Sequence, residues 1–303
     1  PAGRSLLRPL HDMRSPLSSR LVLALSTLVL ASGCLSSTKE SAPAGPTGPV
    51  DSMPFASEVG QGVSYLSERS DDLVEAVERL GAAVEIGDLA SCKNAYYDAR
   101  APYEEIEVLA RAFPDLHLAI DGRSYEFPNG ELDTDFRGFH RIELFLFARE
   151  KPALALPYAQ QLLEDVQSLR TALDDRTRYS APMTFDAMID RCMEIATKTV
   201  SSEEEMWSDQ SLIVVRHAWI GVHSQYRYFG AKVRAKDVKL AERLDRSYRK
   251  AVELIAAEFP VGQTQGAPFS IIDRVQRRQI ADASLKLRRY LVQAQETLEL
   301  IDA

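Results

Sequence analysis

Apolar residues recur every three or four positions along most of the chain. In the first such segment they stand at Leu66, Leu73, Val77, Leu80 and Val84, with charged residues between them. This period is typical of an amphipathic helix with one buried face, and the alternation of a strand is absent. The same pattern predicts eight helices, which cover residues 56–86, 89–113, 136–148, 152–174, 185–200, 202–230, 235–259 and 272–300.

A break near the middle of the chain divides these helices into two groups of four. Residues 177–184, which include a Ser-Ala-Pro sequence, interrupt the helical pattern. Amphipathic helices bury their apolar faces most simply in four-helix bundles, and single hydrophobic cores stop growing beyond about 250 residues. We therefore predict an all-α protein made of two four-helix bundles, at residues 56–177 and 182–303.

One long connection departs from this regular pattern. Residues 114–135 show no clear hydrophobic period, so the pattern predicts a loop of about twenty residues between two helices. Ordered loops of this length are uncommon inside a helical domain, and they often carry function. We therefore expect this loop to contribute to the functional site.

Residues 1–34 differ from the rest of the chain. Arg14 and Arg20 precede an apolar run over residues 21–30, and small residues follow it. This order is typical of an export signal that begins at Met13, and its apolar run is about half as long as a membrane-spanning helix. The sequence Leu-Ala-Ser-Gly-Cys that ends at Cys34 resembles a bacterial lipobox, so we expect that cysteine to be lipidated.

The segment after this cysteine has the composition of a flexible linker. Residues 35–55 are rich in Ser, Pro, Ala and Gly and have no hydrophobic period. These features predict a periplasmic protein that a lipid anchors to a membrane. The outer membrane is favoured, because Leu35 and Ser36 stand where an aspartate is associated with retention at the inner membrane.

Composition and charge narrow the class of ligand. The chain has 44 acidic and 36 basic residues, for a formal net charge of −8. Nucleic-acid binding is disfavoured, because phosphates require clustered Lys and Arg, whereas an acidic protein suits a cation. Cys92 and Cys192 lie within predicted helices. We interpret them as buried apolar residues, with a disulfide between them as the alternative.

A histidine and an acid follow the long connection. His140 and Glu143 are three residues apart, and therefore lie on one face of a helix. An imidazole and a carboxylate at this spacing can bind one metal ion, as in metal-binding helical bundles. The same spacing also suits a hydrogen-bonded pair on the surface.

Three segments together resemble the imelysin/EfeO family. They are Ala-Arg-Ala-Pro-Tyr-Glu-Glu-Ile-Glu at residues 99–107, the Phe-Pro-Asp-Leu and Ala-Ile-Asp-Gly-Arg sequences within residues 113–123, and Gly-Phe-His-Arg-Ile-Glu at residues 138–143. Weaker similarity continues to the end of the chain. Members of this family are helical periplasmic or lipid-anchored proteins with two four-helix bundles. They include EfeM-like proteins of iron uptake and an alginate-binding relative.

The resemblance implies a set of metal ligands from separate segments. The proposed ligands are His140, Glu143, Glu104 and Asp121, with Glu107 and Glu203 as further candidates. Oxygen and imidazole ligands without thiolate suit iron, manganese, zinc or copper(II), and the family favours iron. Structural alternatives remain for several acids: an exposed helix face at residues 104–107, a turn at 121–123 and a charged helix start at 203–205.

The resemblance favours a metal-binding protein that is not an enzyme. It would capture iron and pass it to a membrane permease. Longer members of the family carry a cupredoxin domain, for which residues 35–55 are too short, so a separate cupredoxin-type or peroxidase partner is expected. The alternatives are an acidic-polysaccharide-binding protein and an imelysin-type metallopeptidase. The sequence contains neither a His-Glu-x-x-His nor a Gly-x-Ser-x-Gly motif.

Overall fold

The computed structural model describes residues 53–201 and 205–301. The predicted export signal, Cys34, most of the linker and Glu203 lie outside the described residues. Within those two ranges the regular structure is helical and contains no strand, which confirms the all-α prediction. The α-helices are α1 (Ala56–Ile86), α2 (Leu89–Ile106), α3 (Pro114–Asp121), α4 (Phe139–Glu143), α5 (Leu156–Leu173), α6 (Ala181–Thr197), α7 (Ser211–Lys236), α8 (Val238–Ile255) and α9 (Arg274–Thr297).

The first two helices form a tight hairpin. Gly87 ends α1 with a φ of 84°, a conformation that glycine adopts without strain, and its N–H bonds to the carbonyl of Ala83. Asp88 then begins α2, and its side chain accepts a hydrogen bond from the Ser91 N–H at 2.9 Å. The chain therefore reverses within two residues, and α1 packs along α2.

Helix α2 lies between α1 and α7. Every residue from Ala99 to Ile106 is buried, although this stretch contains Arg100 and two glutamates. Gly221 of α7 makes part of this burial possible, because a Cβ there would lie 2.5 Å from the backbone oxygen of Glu105. Buried charges require partners, so this half of α2 positions the charged cluster described below.

The prediction of an irregular loop at residues 114–135 was wrong for its first third. This part forms α3, which begins at Pro114 with Asp115 in its first turn, and two 3-10 turns follow. The helical period was hidden because the buried face of α3 is short and ends on a charged residue, Asp121. A buried aspartate does not contribute to an apolar stripe.

The second group of helices is built around α7. Helices α6 and α8 both pack against α7 and α9, and α7 also packs against α1 and α2. A hydrophobic core extends through both groups. The division into domains at residues 56–177 and 182–303 stays a prediction.

The predicted bounds of α7 were wrong at both ends. The helix begins at Ser211 instead of residue 202, and it continues through Gly230 to Lys236. Asp237 ends it, because its side chain accepts a hydrogen bond from the Leu240 N–H and starts α8. A single glycine inside a helix weakens it by only about 1 kcal/mol, so Gly230 does not terminate it.

The described part of the chain contains no helix that is both long and apolar enough to cross a membrane. Cys92 and Cys192 are buried and do not form a disulfide. The interpretation of these two cysteines as buried apolar residues is thus confirmed.

Candidate metal centre

A cluster of charged side chains lies inside the protein where α2, α3 and α4 meet. It contains four residues that the resemblance implied as ligands, and each is at most 1% exposed: Glu104, Asp121, His140 and Glu143. The structure therefore brings together side chains that are up to 39 positions apart in the sequence. Whether these residues bind a metal stays a prediction.

Close contact between α3 and the start of α4 positions the residues at the centre of this cluster. Gly138, which precedes α4, has a φ of 78°, and a Cβ there would lie 2.2 Å from the carbonyl oxygen of Ile120. Only glycine fits this contact without displacement of the backbone. As a result, Asp121 at the end of α3 lies beside His140, with 3.4 Å between Oδ1 and Nε2.

Both ring nitrogens of His140 face carboxylates. Nδ1 lies 2.9 Å from Oε2 of Glu143, within hydrogen-bond distance. Nε2 is buried and pairs with Asp121, whose Oδ1 lies 3.4 Å away, a longer contact than the one on Nδ1. Burial alone would lower the pKa of the imidazole. The negative charges of Asp121 and Glu143 outweigh this effect and raise the pKa of His140 to about 9.

Both oxygens of Glu143 have partners. Oε1 accepts hydrogen bonds from the backbone N–H groups of Trp207 at 2.8 Å and Ser208 at 2.7 Å, and Oε2 contacts His140. Burial opposes ionisation of Glu143, but the contact with His140 and the two backbone donors hold its pKa below the usual value. Glu143 thus fixes the orientation of the imidazole.

Two buried arginines balance much of the negative charge. Arg100 contacts Glu104 and Asp121 through its two Nη atoms, and its Nε lies 2.8 Å from Oε1 of Glu205. Its guanidinium also stacks over the ring of Phe139, 4.9 Å from the ring centre.

The second arginine, Arg191, comes from α6. It binds Glu104 at 2.5 Å and Glu194 at 2.9 Å, and it also contacts Glu107. It therefore links α6 to the end of α2 through buried ion pairs. Removal of one partner of such a pair strongly destabilises the fold, because the other charge stays buried without a partner.

Carboxylates outnumber guanidinium groups in and around this cluster. Six carboxylates lie there with three arginines, namely Glu104, Glu107, Asp121, Glu143, Glu194 and Glu205 with Arg100, Arg123 and Arg191. Burial is the largest cause that raises the pKa of Glu104 to about 8 and of Glu205 to about 7. Repulsion from Glu107 and from Glu143, respectively, adds to these shifts. These raised pKa values mean that protons already neutralise part of the negative charge, so a metal ion would have to compete with protons for the carboxylates.

One structural alternative for the acidic segments was wrong. Glu104, Glu105 and Glu107 are all buried, so residues 104–107 are not an exposed helix face. Residues 203 and 204 lie outside the described residues, so a charged helix start at residues 203–205 stays a prediction; Glu205 contacts Arg100 within the cluster.

Sequence reasoning missed His117 as well as the two arginines. His117 lies on α3, and its ligand atom is within 4.8 Å of those of Glu107 and Asp121. One signal was present, because His117 and Asp121 are four residues apart and therefore lie on one helix face. It went unused because residues 114–135 were interpreted as a loop.

The arrangement around His140 has donor atoms that fit a metal ion. At typical metal–ligand distances of about 2.1 Å, two donor atoms 3.4 Å apart subtend an angle of roughly 108° at the ion, which is close to tetrahedral. A carboxylate that holds the other nitrogen of a ligating histidine is also a common feature of metal sites. His140 Nε2 and Asp121 Oδ1 therefore have the spacing of two ligands of one ion, and Glu143 lies at the other nitrogen of the histidine.

Comparisons with known proteins agree with the family that the three segments suggested. Residues 63–293 match the family model described as imelysin, which also carries the label peptidase M75. The chain is similar to an iron uptake system component EfeM from Pseudomonas syringae, with 27% identity over 88% of this chain and 89% of the relative. It is also similar to an EfeM/EfeO family lipoprotein from Staphylococcus aureus, with 27% identity over 72% of this chain and 77% of the relative.

Proposed function

Because the chain belongs to the imelysin family, we propose that it captures iron at the buried cluster around His140 and delivers the ion to a membrane permease. Relatives named as an iron uptake component and as a lipoprotein support this role. One structural observation carries the proposal. The imidazole of His140 is fully buried between two carboxylates, with Nε2 3.4 Å from Oδ1 of Asp121 and Nδ1 2.9 Å from Oε2 of Glu143.

The side chains of the cluster would have different tasks. His140 and Asp121 would bind the ion directly, and Glu104 would add a carboxylate from α2. Glu143 would act through His140, since its own oxygens are engaged by the imidazole and by two backbone N–H groups. Arg100 would balance the charge of Glu104 and Asp121 when no ion is bound.

The oxygen and nitrogen donors do not by themselves select one metal. Carboxylates and imidazole suit iron, manganese, zinc and copper(II), and the names of the relatives favour iron. Binding would require loss of the proton on His140 Nε2, so protons and metal would compete for the site.

The N-terminal segment and the family support a proposal for the location of the protein and for its partners. A lipid on Cys34 would hold the protein at a membrane outside the cytoplasm, and the choice of the outer membrane stays a prediction. Partners would be the permease and a separate cupredoxin-type or peroxidase protein.

We further propose that the protein is not an enzyme, although the family label retains a metallopeptidase as the alternative. His140, Asp121 and Glu104 are at most 1% exposed. A peptide chain would have to displace the surrounding helices to reach them, whereas an ion needs a much smaller opening. Cleavage of an unfolded substrate by the full chain, abolished by a chelator, would contradict this part of the proposal.

Thermal unfolding of the full chain tests metal capture. An ion at about one hundred times its Kd stabilises the folded state by about 2.7 kcal/mol, which raises the Tm of a domain of this size by roughly 5–10 °C. We expect the combined substitutions His140→Ala and Glu143→Ala to remove this shift and to leave the helical circular dichroism unchanged. His223→Ala is the matched control, because His223 stacks on Tyr248 and is not part of the cluster. An unchanged shift in the double variant would contradict the proposed site.

A further inference from the structure

We propose that a groove between α7 and the loop that follows α8 binds a small organic carboxylate, and that Arg216 binds the charged group of this ligand. The groove has a volume of about 230 Å³. Arg216 comes from α7, Val252 and Ile255 come from α8, and residues 256–263 supply the remaining wall. None of these residues belongs to the charged cluster around His140, so the inference does not depend on the proposed function.

The positive charge of Arg216 lacks a partner in the described part of the chain. No hydrogen bond or ion pair joins this partly buried side chain to another described residue. Its guanidinium carbon lies 4.5 Å from the ring centre of Phe259. This cation–π contact holds the guanidinium against the groove, but it supplies no oxygen for the N–H groups. These donors are therefore available to a ligand.

A guanidinium group favours a carboxylate as its ligand. It can donate two parallel hydrogen bonds to the two oxygens of one carboxylate, which fixes the orientation of the ligand. Arg100 and Arg191 already use their donors in this way, since each contacts several carboxylates inside the protein. Arg216 has the same capacity and lines a cavity instead.

The walls of the groove indicate that the body of the ligand is apolar. They consist mainly of the side chains of Val252, Ile255, Phe259, Pro260 and Val261. Besides Arg216, the polar side chain in the described lining is that of Gln263. A sugar acid carries several hydroxyl groups, which would lose their hydrogen bonds to water against such walls. The lining therefore favours an aliphatic or aromatic carboxylate over an acidic polysaccharide.

Hydrogen bonds hold the loop of the groove in place. The Thr264 hydroxyl donates to Oδ1 of Asp98 on α2 at 2.6 Å, and the Gly266 N–H donates to the side-chain oxygen of Gln210 at 3.1 Å. The Ala267 N–H also bonds to a carbonyl within the loop. Because these contacts form without a ligand, the groove is preformed, and binding does not have to order the loop.

The acid of the same loop is engaged elsewhere. Glu258 lines a neighbouring hollow, which shares Pro260 and Gln263 with the groove. Its Oε1 accepts a hydrogen bond from Nε2 of Gln276 at 2.9 Å. This carboxylate therefore does not occupy the position beside Arg216 that we assign to the ligand.

Fluorine NMR titration of the full chain with 4-fluorobenzoate tests this proposal. The probe combines an apolar ring with one carboxylate, and its small size suits a groove somewhat below the 300–1,000 Å³ range of typical ligand pockets. The ligand control is 4-fluorobenzamide, which has the same shape without the charge. Polygalacturonate, added as a competitor, represents an acidic polysaccharide.

Two substitutions alter the groove in different ways. Arg216→Met removes the charge and keeps an unbranched side chain. Val261→Asp places a carboxylate at the rim, and because Val261 is fully exposed, this variant remains informative if Arg216→Met unfolds. Arg278→Met is the matched control, since the side chain of Arg278 lies on α9, is 84% exposed and does not line the groove.

We expect 4-fluorobenzoate to bind at least tenfold more tightly than 4-fluorobenzamide. Arg216→Met should remove this difference, Val261→Asp should reduce it severalfold, and Arg278→Met should leave it unchanged. Absence of binding, equal binding of acid and amide, or a preference for the acid that both groove variants retain would overturn the site. Displacement of 4-fluorobenzoate by a lower concentration of galacturonate units in the polymer would overturn the assignment of the ligand as a small apolar carboxylate.

Discussion

The substitution Glu143→Gln tests how the proposed centre works, because it preserves shape and changes only charge and hydrogen bonding. The carboxylate of Glu143 takes part in three close contacts: to the N–H groups of Trp207 and Ser208, at 2.8 and 2.7 Å, and to Nδ1 of His140 at 2.9 Å. A glutamine has one acceptor oxygen and one NH₂ group. If the oxygen keeps the two backbone donors, the NH₂ group must face the imidazole.

This change reverses the tautomer of His140. Its Nδ1 would then have to accept a hydrogen bond, which places the remaining proton on Nε2 of the neutral ring. Nε2 is the atom that faces Asp121 and that we propose as the metal ligand. Substitutions of residues that orient a ligating histidine lower metal affinity about 10–100-fold, equivalent to about 1.4–2.7 kcal/mol, and we expect a loss in this range.

Competition titration of the full chain against a chelator, with Zn²⁺ or anaerobic Fe²⁺, measures this loss. Glu105→Gln is a matched control, since Glu105 lies on α2 beside the cluster and, like Glu143, contacts a histidine, in this case His217 at 2.7 Å. We expect the affinity of Glu105→Gln to stay within about twofold of the unsubstituted protein. A Glu143→Gln variant that is folded and has undiminished affinity would refute the orienting role of Glu143.

Three further predictions concern stability. Without metal, the free energy of unfolding should fall as pH rises from about 6.5 to 9. The pKa of His140 is raised to about 9, so the stabilisation from its ion pairs is complete below pH 6.5 and is lost as the ring deprotonates. Because the pKa of Glu104 is raised to about 8, ionisation of this buried acid also lowers stability as pH rises. A Tm that rises over this pH range in the presence of a chelator would contradict this reasoning. Arg100→Met should destabilise the protein by about 3–5 kcal/mol in urea unfolding, because it leaves buried carboxylates unpaired, and added metal should restore part of the loss. Gly138→Ala should lower the Tm and weaken metal binding because its Cβ would overlap a backbone oxygen of α3, whereas Gly81→Ala, which has open space around the new methyl group, should be neutral or stabilising in both assays.

Local sequence signals predicted the long helices well. The C-terminal end of α1 follows from the backbone conformation of Gly87, and the start of α2 follows from the side chain of Asp88, which caps it. The bounds of α7 failed because Gly230 alone does not stop a helix, while Asp237, the residue that does, resembles an ordinary surface acid in the sequence.

The charged cluster could be predicted only in part. Resemblance to a family brought Glu104 and Asp121 to attention, whereas helical spacing had already indicated His140 and Glu143. Arg100 was missed because an arginine four residues from a glutamate is usually a surface pair on an exposed helix face. Its burial depends on α1, the preceding helix, and on α7, which packs against α2 from a distant part of the sequence.

Iron binding to the full chain is the most direct test of the central claim, that a buried imidazole and nearby acids hold an ion. The measurement is anaerobic equilibrium dialysis against Fe²⁺, with the bound iron counted by elemental analysis. We predict that the unsubstituted protein and His223→Ala retain tightly bound iron and that a folded His140→Ala variant does not. Equal retention of tightly bound iron by His140→Ala would contradict the account.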